Sequence, residues 1–209
     1  MAEERGNQLL RDSAVPVAAI ANPAALGLGG FALTTFVLST HNAFPSSAPD
    51  LTWLGLAFFY GGLGQFAAGM WEFKTGNTFG ATAFSTYGAF WMSLATLIVL
   101  VLTGKMPAGD ILTGLGWFVL AFAIFNTYML VWSMRVSKAV FLVFLTLEIT
   151  EILLLLGYFG GSGAGKGLTS IGGYMGILTA LVAWYASAAT VANSLRVRPI
   201  LPVGSPLWK

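Results

Sequence analysis

The chain has 209 residues, of which 56% are hydrophobic and only 9% charged, whereas an ordinary water-soluble domain carries about a quarter charged residues. Its net charge of +2 is too small to point to nucleic acid. With no cysteine and a single histidine, His41, the chain excludes disulfides, thiolate nucleophiles, cysteine-ligated clusters and any metal site built on several imidazoles.

Residues 1–21 contain Glu3, Glu4, Arg5, Arg11 and Asp12 but no compact apolar core, which reads as a polar cytoplasmic tail and not a signal peptide. Apolar runs bounded by Pro, Gly, Asn and charge then predict six membrane spans, near 23–40, 51–71, 78–103, 111–132, 139–159 and 171–192. The runs are continuously apolar, without the in-and-out alternation of a membrane barrel, so the expected fold is all-α. The transmembrane domain covers 22–195, and 196–209 form a second cytoplasmic tail. Lys and Arg accumulate on the cytoplasmic side of short loops. Under six spans, Arg5, Arg11, Lys74, Arg135, Lys138, Arg196, Arg198 and Lys209 share one side, with only Lys105 and Lys166 on the other. Both termini are therefore expected in the cytoplasm of a multi-pass cell-membrane protein.

Spans one, three and five each begin behind a residue suited to capping: Asn22 before Pro23, Asn77 before Thr78, and Ser137 before Lys138. Spans two, four and six carry small-residue clusters, Gly61, Gly62 and Gly64, then Gly114 and Gly116, then Gly172, Gly173 and Gly176, where helix backbones can approach closely. This suggests three helical hairpins about a pseudo-threefold axis and a central pore. General abundance of Gly in membrane helices is the alternative.

Little in the chain supports catalysis. The run from Gly160 to Lys166 resembles a phosphate-binding loop, but Gly167 stands where a metal-binding hydroxyl is needed, and the loop is expected outside the cell, so a flexible connector is the better reading. No serine lies in a nucleophile-elbow pattern. No pattern calls for a cofactor or a metal. The segments Asn22-Pro23-Ala24-Ala25-Leu26-Gly27-Leu28 and Gly76-Asn77-Thr78-Phe79-Gly80 instead set helix N-termini at the cytoplasmic face, where backbone N–H groups suit a carboxylate. Ordinary helix capping accounts for them equally well.

These segments resemble the acetate uptake transporter family, the succinate-acetate permeases of the YaaH type. The NPAPLGL signature is present with Ala25 in place of the second proline. Further matches are Tyr60-Gly61-Gly62, Gln65, Ala68-Gly69, Glu72, the GNTFG stretch, Ala83-Phe84, Tyr87-Gly88, Phe90-Trp91 and the ending Leu201-Pro202-Val203-Gly204. The resemblance covers most of the chain from Asn22 onward and is densest in the first three spans. It implies a channel or permease for acetate and similar small carboxylates, six-helix protomers assembled as a homohexamer in lipid, and a pore in each protomer narrowed by three apolar or aromatic side chains. Carried onto this sequence, that constriction falls on Phe31, Tyr87 and Leu147.

A geometric check is independent of the resemblance. Phe31 is 9 residues past Asn22, Tyr87 10 past Asn77 and Leu147 10 past Ser137, so at 1.5 Å per residue all three lie about 14 to 15 Å deep, near the bilayer centre. Ordinary mid-helix packing is the alternative. Candidate substrate contacts on either side are Asn22, Leu26, Thr34, Thr35, Gln65, Asn77, Thr78, Thr82, Ser85 and Thr86. Glu148 and Glu151 depart from the family pattern. A charged side chain at mid-span costs roughly 2.5 to 3.5 kcal/mol on insertion scales, so both need partners or a proton. Glu151, four residues after Leu147 and on its helical face, is a candidate proton relay with Glu148, and a hydrogen-bonded pair at a helix or subunit interface is the rival. Other readings of the whole chain are a pore for a neutral or cationic solute such as ammonia, or a membrane sensor or scaffold.

Overall fold

The computed structural model describes residues 20–48, 51–109, 111–195 and 198–208. Most of the expected N-terminal tail lies outside them, as do Arg5, Arg11, Arg196 and Lys209 of the orientation argument. Among the described residues the fold is helical throughout, without strands: α1 (Ala24–Ala43), α2 (Trp53–Phe58), a π-helical turn (Phe59–Gly64), α3 (Gln65–Thr75), α4 (Thr78–Leu102), α5 (Ile111–Ser133), α6 (Lys138–Phe159) and α7 (Gly167–Ser194). α1, α4, α5, α6 and α7 are long and apolar enough to cross a membrane.

Span two is where the expected single helix is corrected. It runs in three contiguous pieces, because the sequence Phe59-Tyr60-Gly61-Gly62-Leu63-Gly64 takes the wide π turn. Gly61 lies so close to Thr34 of α1 that a Cβ there would overlap the hydroxyl. The wide turn and the missing side chain together let this segment lie directly on α1. Gly114, expected at a close helix contact, has open space around it.

The caps follow the sequence at two of three starts. Asn77 Oδ1 accepts from Gly80 N at 3.1 Å, and Ser137 Oγ accepts from Val140 N at 3.2 Å, satisfying donors that a helix start otherwise leaves unpaired. At α1, Asn22 Oδ1 accepts from Ala24 N at 3.0 Å, one residue nearer than at the other two starts, and Pro23 occupies the cap position.

α1 packs along α7 and against span two; α4 packs on α3 and the π turn; α6 packs between α5 and α7. Each odd-numbered span thus meets neighbouring even-numbered spans, and α1, α4 and α6 bring their inward faces together in one buried cluster containing Leu28, Phe31, Phe84, Tyr87, Phe144 and Leu147. The loop before α7 is not a flexible connector. Gly165 N donates to Asn42 O at 2.8 Å, Ser170 Oγ to Ala43 O at 2.9 Å and Thr169 Oγ1 to Ser162 O at 2.6 Å, so it is pinned to the end of α1. These turns also start α7 earlier than the apolar run suggests. The described part of the C-terminal segment folds back likewise: Ala139 N donates to Val203 O at 2.9 Å, and Leu207 N to Met134 O at 2.8 Å.

Candidate functional site

Phe31 on α1, Tyr87 on α4 and Leu147 on α6 are buried and line one narrow gap together with Leu28, Gln65 and Phe144. The gap measures about 20 Å³, room for about one water. The Phe31 and Tyr87 rings meet edge to face, with centroids 5.8 Å apart, the arrangement that sets one ring's positive edge against the other's negative face. Phe90, Phe122 and Phe125 surround Tyr87 from behind, at 6.1, 6.3 and 5.5 Å between centroids.

Seven residues are two helical turns, so Leu38 and Leu94 continue the faces that carry Phe31 and Tyr87. Both line a second, larger cavity of about 410 Å³ toward the C-terminal ends of α1 and α4, shared with His41, Asn42, Trp53 and Tyr158. The same helical faces of α1 and α4 therefore line both the larger cavity and the narrow gap.

Of the expected substrate contacts, Gln65 lies in the gap, nearly fully buried and with its Oε1 unpartnered. Thr34 and Thr35 are buried with unpartnered hydroxyls. Thr34 faces Gly61 of the π turn, and Ser85 faces Gly69 of α3. Thr82 and Thr86 are half-buried, whereas Asn22, Leu26, Asn77 and Thr78 are exposed at the expected cytoplasmic end. The start of α4 is not an empty anion site. Asn77 Nδ2 donates to Glu72 Oε2 at 2.9 Å, Thr75 Oγ1 lies 2.9 Å from the Glu72 carbonyl and 3.1 Å from Oε2, and Glu72 is 1% exposed. The protein sets its own carboxyl group beside that helix N-terminus, where the macrodipole favours negative charge.

The two mid-membrane glutamates have partners. Glu148 Oε2 accepts from Asn126 Nδ2 at 2.6 Å, and Glu148 Oε1 accepts from Thr127 Oγ1 at 2.7 Å. Glu151 Oε1 lies 3.3 Å from the Tyr87 hydroxyl, which is also 3.0 Å from Asn126 Oδ1. Glu151 stands behind Tyr87 and does not line the gap. Asn126 and Thr127 went unnoticed in the sequence. A buried asparagine midway along an apolar span was the available signal, because an amide there needs partners as surely as a carboxyl does.

Five membrane-length helices and a buried apolar gap shared by three inward faces define a polytopic helical membrane protein. The chain belongs to the GPR1/FUN34/yaaH family, whose sequence profile matches residues 6–204. It is 42% identical over 205 residues to acetate permease A of Emericella nidulans, covering 90% of this chain and 67% of that one. It is 39% identical to ammonia transport outward protein 2 of Saccharomyces cerevisiae, covering 85% of this chain and 64% of that protein. With the succinate-acetate/proton symporter SatP of Escherichia coli it shares 34% identity, covering 88% and 96%. The chain thus spans about two thirds of the length of the fungal relatives and nearly all of the bacterial one. Among solved structures it matches that of the bacterial acetate channel SatP, with a TM-score of 0.83 and 33% identity, over 89% of this chain and all of the other.

Proposed function

We propose that the chain is a membrane channel or permease for acetate and related small carboxylates, succinate among them, and that substrate passes a hydrophobic constriction formed by Phe31, Tyr87 and Leu147. The observation that carries this reading is the shared gap of about 20 Å³: one side chain from each odd-numbered span, at matching depth, with a larger cavity on the same helical faces of α1 and α4. A narrow apolar ring resists hydrated ions because removing their water is costly, and it closes by dewetting. A short carboxylic acid has a methyl end that tolerates such a ring. Its polar head can be passed between amide and hydroxyl groups, with Gln65 lining the gap and Asn42 the larger cavity. The spans contain no buried Lys or Arg to trap an anion, which favours turnover over tight binding.

Transport in this reading is proton-linked through Glu151 and Glu148, the carboxyl groups nearest the ring. The contact between Glu151 and Tyr87 and the name of the bacterial symporter support that part. Both termini lie in the cytoplasm, the side on which basic residues collect. The large apolar side chains left exposed, Trp117, Ile124 and Tyr174 among them, suit lipid and the neighbouring copies of a homohexamer. The role is transport and not catalysis, and needs no cofactor.

Purified protein in liposomes should take up labelled acetate, with competition from succinate and propionate. Uptake no faster than in empty liposomes would end the reading. The pH profile of uptake should change in Glu151→Gln; an unchanged profile would remove the relay. The name of the yeast relative favours one rival, a pore for ammonia. That rival expects lumenal alkalinisation by ammonia with no acetate flux.

A further inference from the structure

On the reading above, which places Tyr87 at the constriction, a single proton beside that side chain has one location. The Tyr87 hydroxyl lies 3.0 Å from Asn126 Oδ1 and 3.3 Å from Glu151 Oε1. A phenol has one hydrogen to donate. Asn126 decides which neighbour receives it. Its amide nitrogen is committed to two acceptors, the Phe144 carbonyl at 3.0 Å and Glu148 Oε2 at 2.6 Å. Turned over, the amide would set its oxygen against both of them, so Oδ1 belongs toward Tyr87. Asn126 is 0% exposed, and leaving its buried oxygen without a donor is strongly unfavourable.

Tyr87 therefore donates to Asn126, and its oxygen is left to accept. Glu151 is the group placed to donate to it, and does so only as the neutral acid. Its other oxygen, Oε2, is buried without a partner. An ionised Glu151 would then be a buried carboxylate with no donor, among the costliest arrangements a protein interior can hold. Glu148 has different surroundings: the Asn126 amide donates to its Oε2, the Thr127 hydroxyl, shared with the Ala123 carbonyl at 2.8 Å, lies 2.7 Å from its Oε1, and the residue is only half-buried. We propose that Asn126 is a positioning residue: by claiming the Tyr87 proton it obliges Glu151 to keep one of its own, so the proton stored beside the constriction sits on Glu151 and not on Glu148.

The titratable groups acting on Glu151 are Glu148 on its own helix and Tyr87 on α4. Tyr128 on α5 reaches Tyr87, and α7 faces this stretch of α6 with the Thr179 hydroxyl, 3.1 Å from Thr150.

Infrared difference spectroscopy on the purified full chain in liposomes reads the C=O stretch of a protonated buried carboxyl group without any transport. The expected band is present at neutral pH, disappears in Glu151→Gln and survives in Glu148→Gln. In Glu148→Gln protein, where loss of the Asn126 amide can add no second band, Asn126→Leu removes the acceptor, Tyr87 turns to Glu151, and the band weakens severalfold. With Tyr87→Phe added to that background, the same Asn126→Leu change has no further effect. A band that survives Glu151→Gln, an undiminished band after Asn126→Leu in Glu148→Gln protein, or an equal effect of Asn126→Leu with and without Tyr87→Phe would overturn the proposal. An intact band in protein that moves no acetate would sink the transport reading alone.

Discussion

Replacing Phe31 by aspartate puts a carboxylate into the constriction at the depth where charge is least tolerated. Phe31 is 5% exposed and its ring meets Tyr87 at 5.8 Å, so the new group cannot reach water by a rotamer change. Its own insertion costs roughly 2.5–3.5 kcal/mol. An acetate anion passing about 4 Å from it meets a further repulsion of about 4 kcal/mol at an effective dielectric constant near 20. A barrier higher by about 4 kcal/mol slows passage roughly a thousandfold, since each 1.4 kcal/mol or so is a factor of ten. Phe31→Asn has the same shape without the charge. It gives up the ring contact, worth about 0.5–1.5 kcal/mol beyond area, and should stay within about tenfold of wild type. The assay is the initial rate of labelled acetate uptake into liposomes, with each variant's elution profile as the check on folding. Wild-type flux through well-folded Phe31→Asp would refute the reasoning. Equal rates for the aspartate and asparagine variants would show that charge at the ring does not matter.

Tyr87→Phe keeps the ring but leaves Asn126 Oδ1 buried without its donor, a loss of about 1–3 kcal/mol. Its thermal midpoint should fall by several degrees, at about 2–4 °C per kcal/mol for a chain of this size; an unchanged midpoint would show that the hydroxyl is not committed there. A Cβ on Gly173 would lie 2.5 Å from Ala43 N and 2.8 Å from the Asn42 carbonyl carbon. These are backbone atoms that cannot swing aside, so Gly173→Ala should cost about 1–3 kcal/mol, while Gly114→Ala, in open space, should leave the midpoint in place. Glu72→Ala removes the acceptor of Asn77 Nδ2 while Thr75 Oγ1 keeps the Glu72 backbone carbonyl, and should lower the midpoint by a similar 1–3 kcal/mol. A wild-type midpoint would mean that the start of α4 does not depend on that carboxyl group.

Spans α1, α4, α5, α6 and α7 were legible because a helix that crosses lipid must be apolar for about 20 residues whatever it packs against. Two of the three odd-span starts were legible as well, since Asn77 and Ser137 act within their own first turn. Equal depth of Phe31, Tyr87 and Leu147 followed from counting residues along straight helices. None of this needs one helix to know where another lies. The π turn in span two was not legible, because its wide turn is stabilised by α1 passing against Gly61, a contact between segments far apart in the chain. The loop before α7 read as slack for the same reason, Gly165 of the loop and Ser170 in the first turn of α7 being held by carbonyls at the end of α1. The partners of Glu148 and Glu151 depend on how α4, α5 and α6 are rotated about their axes. Hydrophobic periodicity sets that rotation poorly in lipid, where an outward face is as apolar as an inward one. Only close packing of the side chains decided that Asn126 would stand between Tyr87 and Glu148.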